Sequence, residues 1–222
     1  MLQPKHLLKL EESRLNTLSA SISHSLSDAI DAKGFASLVV SGGSSPLPLY
    51  NMLSMTDIDW SKVFIYLGDD RVVESNHKDS NEHLIKTQLM INNASKASFN
   101  SLLYPELRVN EIKLPFDIVL LGLGMDGHFA SLFPDQLTNL RIFDVNALPA
   151  LVKSEQPLGS PCYQRISMNL SLLTDTKRCI LIVPSADKRA VIEKAYADNR
   201  FPLFFLLNQN KTNVEFSDLD FT

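Results

Sequence analysis

A largely apolar run from Phe116 to Leu121 opens directly into Gly122-Leu123-Gly124-Met125-Asp126-Gly127-His128, and the same succession of apolar run and polar turn occurs twice earlier. Phe35 to Val40 leads into Ser41-Gly42-Gly43-Ser44-Ser45, and Val63 to Leu67 leads into Gly68-Asp69-Asp70-Arg71. Short apolar runs without alternation suit strands that are covered on both faces, as in a parallel sheet packed between helices. In such sheets ligands collect outside the carboxyl ends of the strands, where the strand order changes. The three turns are therefore expected to build one composite site.

Helical signals fill the intervals. Leu7, Leu8, Leu15, Leu18, Ile22, Leu26 and Ile30 recur at helical spacing and predict an amphipathic helix over Leu7 to Ala32, ended by Gly34. Pro46 suits the first turn of a second helix, where its missing N–H has no intrahelical partner. Ser80 is placed to cap a third, carrying Leu84, Ile85 and Leu89, although His83 stands where the acid of a full capping box belongs. Residues 92 to 114, with Pro105 among them and Pro115 after, show no clean period and read as mostly irregular. A helix is expected to start near His128 and stop before Pro134. Leu148 to Val152, Arg165 to Leu170, Ile180 to Val183, Leu203 to Leu207 and Val214 to Phe216 read as strands, and Ala186 to Ala197 as a helix. The fold class is α/β, with a mostly parallel central sheet flanked by helices in three layers and right-handed crossovers.

Composition narrows the function. The formal charge of -4, from 25 acidic and 21 basic residues, is spread without a block of either sign and gives no general footing for nucleic acid. A chain of 222 residues with 45% hydrophobic residues can bury one substantial core, so residues 1–222 are expected to form a single domain. The run Phe201 to Leu207 is broken by Pro202 and falls far short of the roughly 20 residues that span a bilayer as a helix. The amino terminus lacks the apolar core and small-residue cleavage site of a secretory signal, which favours the cytoplasm. Cys162 and Cys179 have neither metal-knuckle nor redox-pair spacing and read as buried free thiols. No metal or cofactor is expected.

The turns themselves carry chemistry. Gly42 and Gly43 remove side-chain obstruction and Ser44 and Ser45 add hydroxyls, a setting that can surround a phosphate with dipoles, yet the lysine-bearing P-loop and the third glycine of a dinucleotide fingerprint are both missing. Arg71 can fork onto phosphate or carboxylate oxygens beside Asp69 and Asp70. His128, two residues beyond Asp126 in a glycine-rich turn, is the candidate general base, since imidazole takes and returns protons near neutrality. His6, His24, His77 and His83 have no such setting. Arg165 and Lys188, associated with different strands, would add positive charge to the anion site of Ser44. Met125 and Phe129 beside the histidine turn read as packing residues.

On these residues the sequence resembles the 6-phosphogluconolactonase family, within the broader glucosamine/galactosamine-6-phosphate isomerase family. The resemblance runs along most of the chain: SGGSS at Ser41 to Ser45, GDDR at Gly68 to Arg71, SN at Ser80 and Asn81, GLGMDGHFASLFP at Gly122 to Pro134, RIS at Arg165 to Ser167, and Lys188 after a strand. It implies a modified Rossmann-like fold without a dinucleotide, a small-molecule phosphosugar lactone as partner, and hydrolysis of 6-phospho-D-glucono-1,5-lactone. It further implies His128 as catalytic histidine, Asp69 and Asp126 as site-organising carboxylates, and Gly42, Gly43, Ser44, Arg71, Arg165 and Lys188 as substrate-binding positions. Asp70 stands where glutamate is commoner, Phe129 where a small polar residue often follows the histidine, and Gln164 where proline is frequent. The related aminosugar-phosphate isomerases/deaminases usually carry a glutamate five residues after the histidine; that position is Phe133. A noncatalytic phosphosugar-binding regulator is the reading from another class, and turnover separates it from an enzyme.

Overall fold

A computed structural model describes residues 4–103 and 106–218, with backbone alone for residues 4–12. The elements run α1 (Pro4–Lys33), β1 (Ala36–Val40), α2 (Leu47–Ser54), β2 (Val63–Leu67), β3 (Asp69–Arg71), α3 (Asn81–Gln88), β4 (Ser98–Asn100), β5 (Phe116–Leu121), β6 (Leu151–Lys153), β7 (Arg165–Met168), α4 (Leu170–Leu173), β8 (Thr176–Leu181), α5 (Ala186–Ala195), α6 (Pro202–Leu207) and β9 (Val214–Phe216). The central sheet has the order β4-β2-β1-β5-β8-β9. Its pairings are all parallel, and α-helices flank it. The fold is α/β and Rossmann-like, as expected.

The apolar runs become the middle of this sheet because they can be covered on both faces: every residue of β1 and β5 is buried. Leu18, Ile22 and Leu26 on one stripe of α1 are fully buried in the common core. Complete burial of such a side chain stabilises the fold by about 1.5–3 kcal/mol. Leu7, Leu8 and His6 carry side chains outside the described residues, as does Pro105. One acid interrupts β5. Asp117 is 2% exposed, accepts from Ser37 N at 2.8 Å, and is paired with Lys33 and Lys177, each at 3.0 Å, so the buried charge is fully compensated.

Several expectations are corrected. Leu203 to Leu207 is not a strand but part of helix α6, because Pro202 sits in its first turn and Leu203 and Leu206 bury one helical face; short apolar runs do not distinguish the two states. No helix starts at His128 or runs to Pro134. Gly127 and Ala130 have positive φ (78° and 47°), which a right-handed helix excludes, and Phe129 pairs with Leu132 across a tight turn before a short 3-10 helix at Pro134–Gln136. The turn Asp69 to Arg71 is itself a strand. β3 pairs antiparallel with β7, which pairs antiparallel with β6, making a second sheet in the order β3-β7-β6. The strand expected over Leu148 to Val152 is β6, and that over Arg165 to Leu170 stops at Met168 because Asn169 caps α4 through Leu172 N. In the stretch read as irregular, β4 adds an edge strand to β2. Cys179 is buried, but Cys162 is exposed, and Met125 is 58% exposed rather than packed.

Candidate active site

The central sheet reverses its order at β1 and β5, whose parallel neighbours lie on opposite sides. Both strands empty their carboxyl ends into glycine turns there. A cleft of about 250 Å³ opens at this point, lined by the turn after β1 (Ser41 to Ser45), by Asp69, Arg71 and Asn81, by Gly122 to Gly124 with His128 and Ala130, and by Arg165 and Lys188. The three turns thus converge as expected. A groove of about 450 Å³ lined by Leu140, Phe143, Phe204 and Phe205 is larger, but its walls are chiefly apolar.

The histidine is held by its own turn. Asp126 Oδ1 lies 2.5 Å from His128 Nδ1 and also accepts from His128 N at 3.2 Å, while Gly124 N donates to His128 O at 2.8 Å and closes the loop. The turn requires glycine: a Cβ at position 124 would come within 2.1 Å of His128 Nδ1. Burial pushes the Asp126 carboxyl upward, but the bond and charge of His128, with local backbone N–H groups, outweigh it and hold the group below the usual carboxylate range. An ionised carboxylate only accepts, so a neutral imidazole beside it carries its proton on Nδ1 and leaves Nε2 unprotonated. One face of the ring is covered by Phe133, with centroids 4.2 Å apart.

Adjacent acids in β3 diverge, because successive strand residues point to opposite faces. Asp69 lines the cleft and accepts from Ser131 Oγ at 2.5 Å, which ties the histidine turn to β3. Asp70 faces away. Its carboxylate accepts from Asn81 N (2.6 Å), Glu82 N (3.1 Å) and Ser80 Oγ (3.2 Å), capping α3 from a distant strand, while Ser80 Oγ accepts from His83 N as a local cap. Burial raises the Asp70 carboxyl to about 6.

The cations are held by backbone oxygens. Arg165 opens β7, donating through Nε to Leu158 O at 3.1 Å and through an Nη to Pro161 O at 2.7 Å; desolvation, then the charge of Arg71, lowers its pKa. Arg71 donates to Asp79 O at 2.6 Å, and its buried Nε has no partner among the described residues. Lys188 stands in the first turn of α5 and donates through Nζ to Leu123 O; burial lowers its pKa and the charge of Asp126 partly offsets this. Of the residues singled out from sequence, Gly42, Gly43, Ser44, Asp69, Arg71, His128, Arg165 and Lys188 line the cleft, and Asp126 reaches it through His128. His24 pairs with Asp28 at 3.4 Å, and His77 packs edge-on against Tyr163. Sequence reasoning placed Ser41, Asn81 and Ser131 within its motifs but gave none of them a role of its own; Asn81 and Ser131 are positioned by bonds to the sequence-distant Asp69. Among the described residues no group of three or more His, Cys, Asp or Glu side chains is arranged to hold a metal ion, and no helix is long and apolar enough to cross a membrane.

Comparison with known proteins shows what this chain is similar to. A 6-phosphogluconolactonase of Neisseria meningitidis is 35% identical over 212 residues, covering 89% of this chain and 90% of that protein. One of Helicobacter pylori is 35% identical over 192 residues, covering 81% and 82%. The crystal structure of a 6-phosphogluconolactonase from Shewanella baltica superposes with a TM-score of 0.81 at 33% identity, over 93% of each chain. The family described as glucosamine-6-phosphate isomerases/6-phosphogluconolactonase matches residues 10–214. That span takes in every wall of the cleft and every strand but the last two residues of β9, and the chain belongs to this family.

Proposed function

We propose that this chain is a 6-phosphogluconolactonase, which hydrolyses 6-phospho-D-glucono-1,5-lactone to 6-phospho-D-gluconate in the oxidative pentose phosphate pathway, acting in the cytoplasm with residues 1–222 as one domain. The observation that carries the reading is the Asp126–His128 pair, 2.5 Å apart, on a cleft that also holds Arg165 and Lys188. The name that the Neisseria, Helicobacter and Shewanella relatives carry supports the same substrate.

In this mechanism neutral His128 takes a proton through Nε2 from a water that attacks the lactone carbonyl, forming a tetrahedral oxyanion. Asp126 keeps the proton on Nδ1 and stabilises the imidazolium. The imidazolium then protonates the ring oxygen as the C–O bond breaks, giving the open acid. Asp69, bound to Ser131, organises the wall between the histidine turn and β3. Gly42, Gly43 and Ser44 with Lys188, Arg165 and Arg71 hold the phosphate and so keep the carbonyl beside the base. An aminosugar isomerase is disfavoured, because Phe133 covers the imidazole where those relatives carry a proton-transferring glutamate, and an apolar ring moves no proton.

The direct test is hydrolysis of freshly generated lactone, corrected for spontaneous opening. Wild type is expected to accelerate ring opening strongly, and His128→Asn to lower kcat roughly 10²- to 10⁴-fold with binding of 6-phosphogluconate kept. Ring opening at the spontaneous rate in the presence of folded wild-type protein would sink the proposal.

A further inference from the structure

On the β1 side of the cleft two buried polar atoms, Ser41 Oγ and Asn81 Oδ1, have no hydrogen-bond partner among the described residues. Asn81 is 1% exposed and Ser41 3%. A buried polar atom left unsatisfied costs about 1–3 kcal/mol, so an amide oxygen and a hydroxyl both unpartnered in the lining of one cleft call for a ligand group. The orientation of the amide is set by its surroundings. Asn81 Nδ2 donates to the backbone oxygen of Asp69 at 2.8 Å, which leaves Oδ1 turned to Gly42, where a Cβ would come within 1.9 Å of it. Glycine at position 42 is what leaves room for this oxygen.

The chemistry of the wall selects its partner. An amide oxygen accepts and never donates, so the ligand must bring an O–H or N–H, and a phosphate dianion is excluded. The Asp69 carboxylate lines the same cleft and accepts likewise. Cationic groups come instead from Arg71, Arg165 and Lys188. We propose that Asn81 Oδ1, assisted by Ser41 Oγ, accepts a hydrogen bond from a ring hydroxyl of the sugar lactone and thereby makes this enzyme selective for a hydroxylated ring. This assignment rests on the lactonase reading and adds its specificity determinant. Acceptors for the hydroxyls and cations for the phosphate orient the ring between them, which presents the carbonyl to His128.

The test compares kcat/KM for the phosphorylated lactone and its 2-, 3- and 4-deoxy forms in wild type and in Asn81→Ala, each corrected for spontaneous opening and with folding checked by thermal denaturation. Wild type is expected to lose about 10- to 100-fold on one deoxy lactone. Asn81→Ala should lose as much on the parent lactone and treat parent and that deoxy form alike. Equal use of all four lactones by wild type overturns the assignment, and so does an Asn81→Ala enzyme that is slowed yet still discriminates. No turnover of the parent lactone by wild type overturns the lactonase reading and this assignment together, whereas turnover without discrimination overturns this assignment alone. If Asn81→Ala does not fold, a wild-type complex with 6-phosphogluconate decides: a hydroxyl within about 3.2 Å of Asn81 Oδ1 supports the assignment, and phosphate or solvent there overturns it.

Discussion

The imidazole of His128 lies on the phenyl ring of Phe133, with centroids 4.2 Å apart and planes inclined by 28°. The phenyl ring is itself fixed, since Phe133 N donates to Gln136 Oε1 at 2.8 Å and the ring packs beside Gly159, where a Cβ would come within 2.8 Å of it. The Arg165 guanidinium lies 5.7 Å from the same ring, so one aromatic side chain positions both the proposed base and a proposed phosphate ligand. Phe133→Leu keeps an apolar side chain but removes the flat face. Aromatic stacking is worth about 0.5–1.5 kcal/mol, so kcat is expected to fall about 3- to 10-fold, with KM changed less. Steady-state kinetics with an unchanged kcat would count against the stack as a positioning device.

Gly124 makes a sharper test of the same geometry. It does not adopt positive φ, so alanine brings no backbone strain there; its Cβ would instead press on His128 Nδ1 at 2.1 Å and Asp126 Oδ1 at 2.5 Å. A displacement of about 1 Å in a catalytic group can cost on the order of 10²-fold. Gly124→Ala is accordingly expected to lose about that factor in kcat while keeping its circular dichroism spectrum. Wild-type kcat in this variant would mean that the dyad tolerates displacement and that its exact spacing is unimportant.

Asp70 supplies a stability test away from the chemistry. Burial raises its carboxyl to about 6, while N–H groups of Asn81, Arg71 and Glu82 pull it back part of the way and the charge of Asp69 pushes it up. Between the unfolded value of about 3.9 and this folded value, the native state holds a proton that the unfolded chain has released, so the contribution of Asp70 to stability falls as pH rises through that window. The loss is on the order of 3 kcal/mol and levels off above about pH 6. Urea unfolding of wild type and Asp70→Asn from about pH 4 to 7 should therefore show the wild-type advantage shrinking as pH rises. Parallel profiles would show that Asp70 titrates normally.

Much of this architecture is legible in the chain because β1, β2 and β5 are apolar enough to be covered on both faces and because their chemical groups follow each strand within a few residues. His128, Asp126 and the glycines around them are neighbours in sequence, so their geometry is local. What escaped is nonlocal. The charged triplet Asp69 to Arg71 has no strand pattern and becomes β3 only by pairing with Arg165 to Ser167. Ser131 meets Asp69 across 62 positions, and Asn81 reaches the site because Asp70 receives the start of α3. The apolar run at Phe201 to Leu207 was ambiguous for another reason: its burial is compatible with either period, and the first-turn proline decides for α6.

A substitution at Lys188 tests whether holding the proposed substrate is separable from transforming it. Ser185 caps the start of α5 by accepting from Lys188 N at 3.4 Å, and Lys188 Nζ donates to Leu123 O, next to the turn that carries His128. The ammonium is thus held at the cleft by a neutral oxygen, with its charge left to act on an anion. Lys188→Met keeps an unbranched side chain of similar length and removes the charge. A charged hydrogen bond contributes about 1.5–3 kcal/mol, so kcat/KM for the phosphorylated lactone is expected to fall about 10- to 100-fold. The unphosphorylated glucono-1,5-lactone, which has no anion to lose, should be used by the variant about as well as by wild type. Both rates must be corrected for spontaneous opening, and folding confirmed by thermal denaturation. Equal losses on the two lactones would point to a displaced His128 turn, transmitted through Leu123, rather than to a lost phosphate contact; no loss on either would remove Lys188 from the anion site altogether.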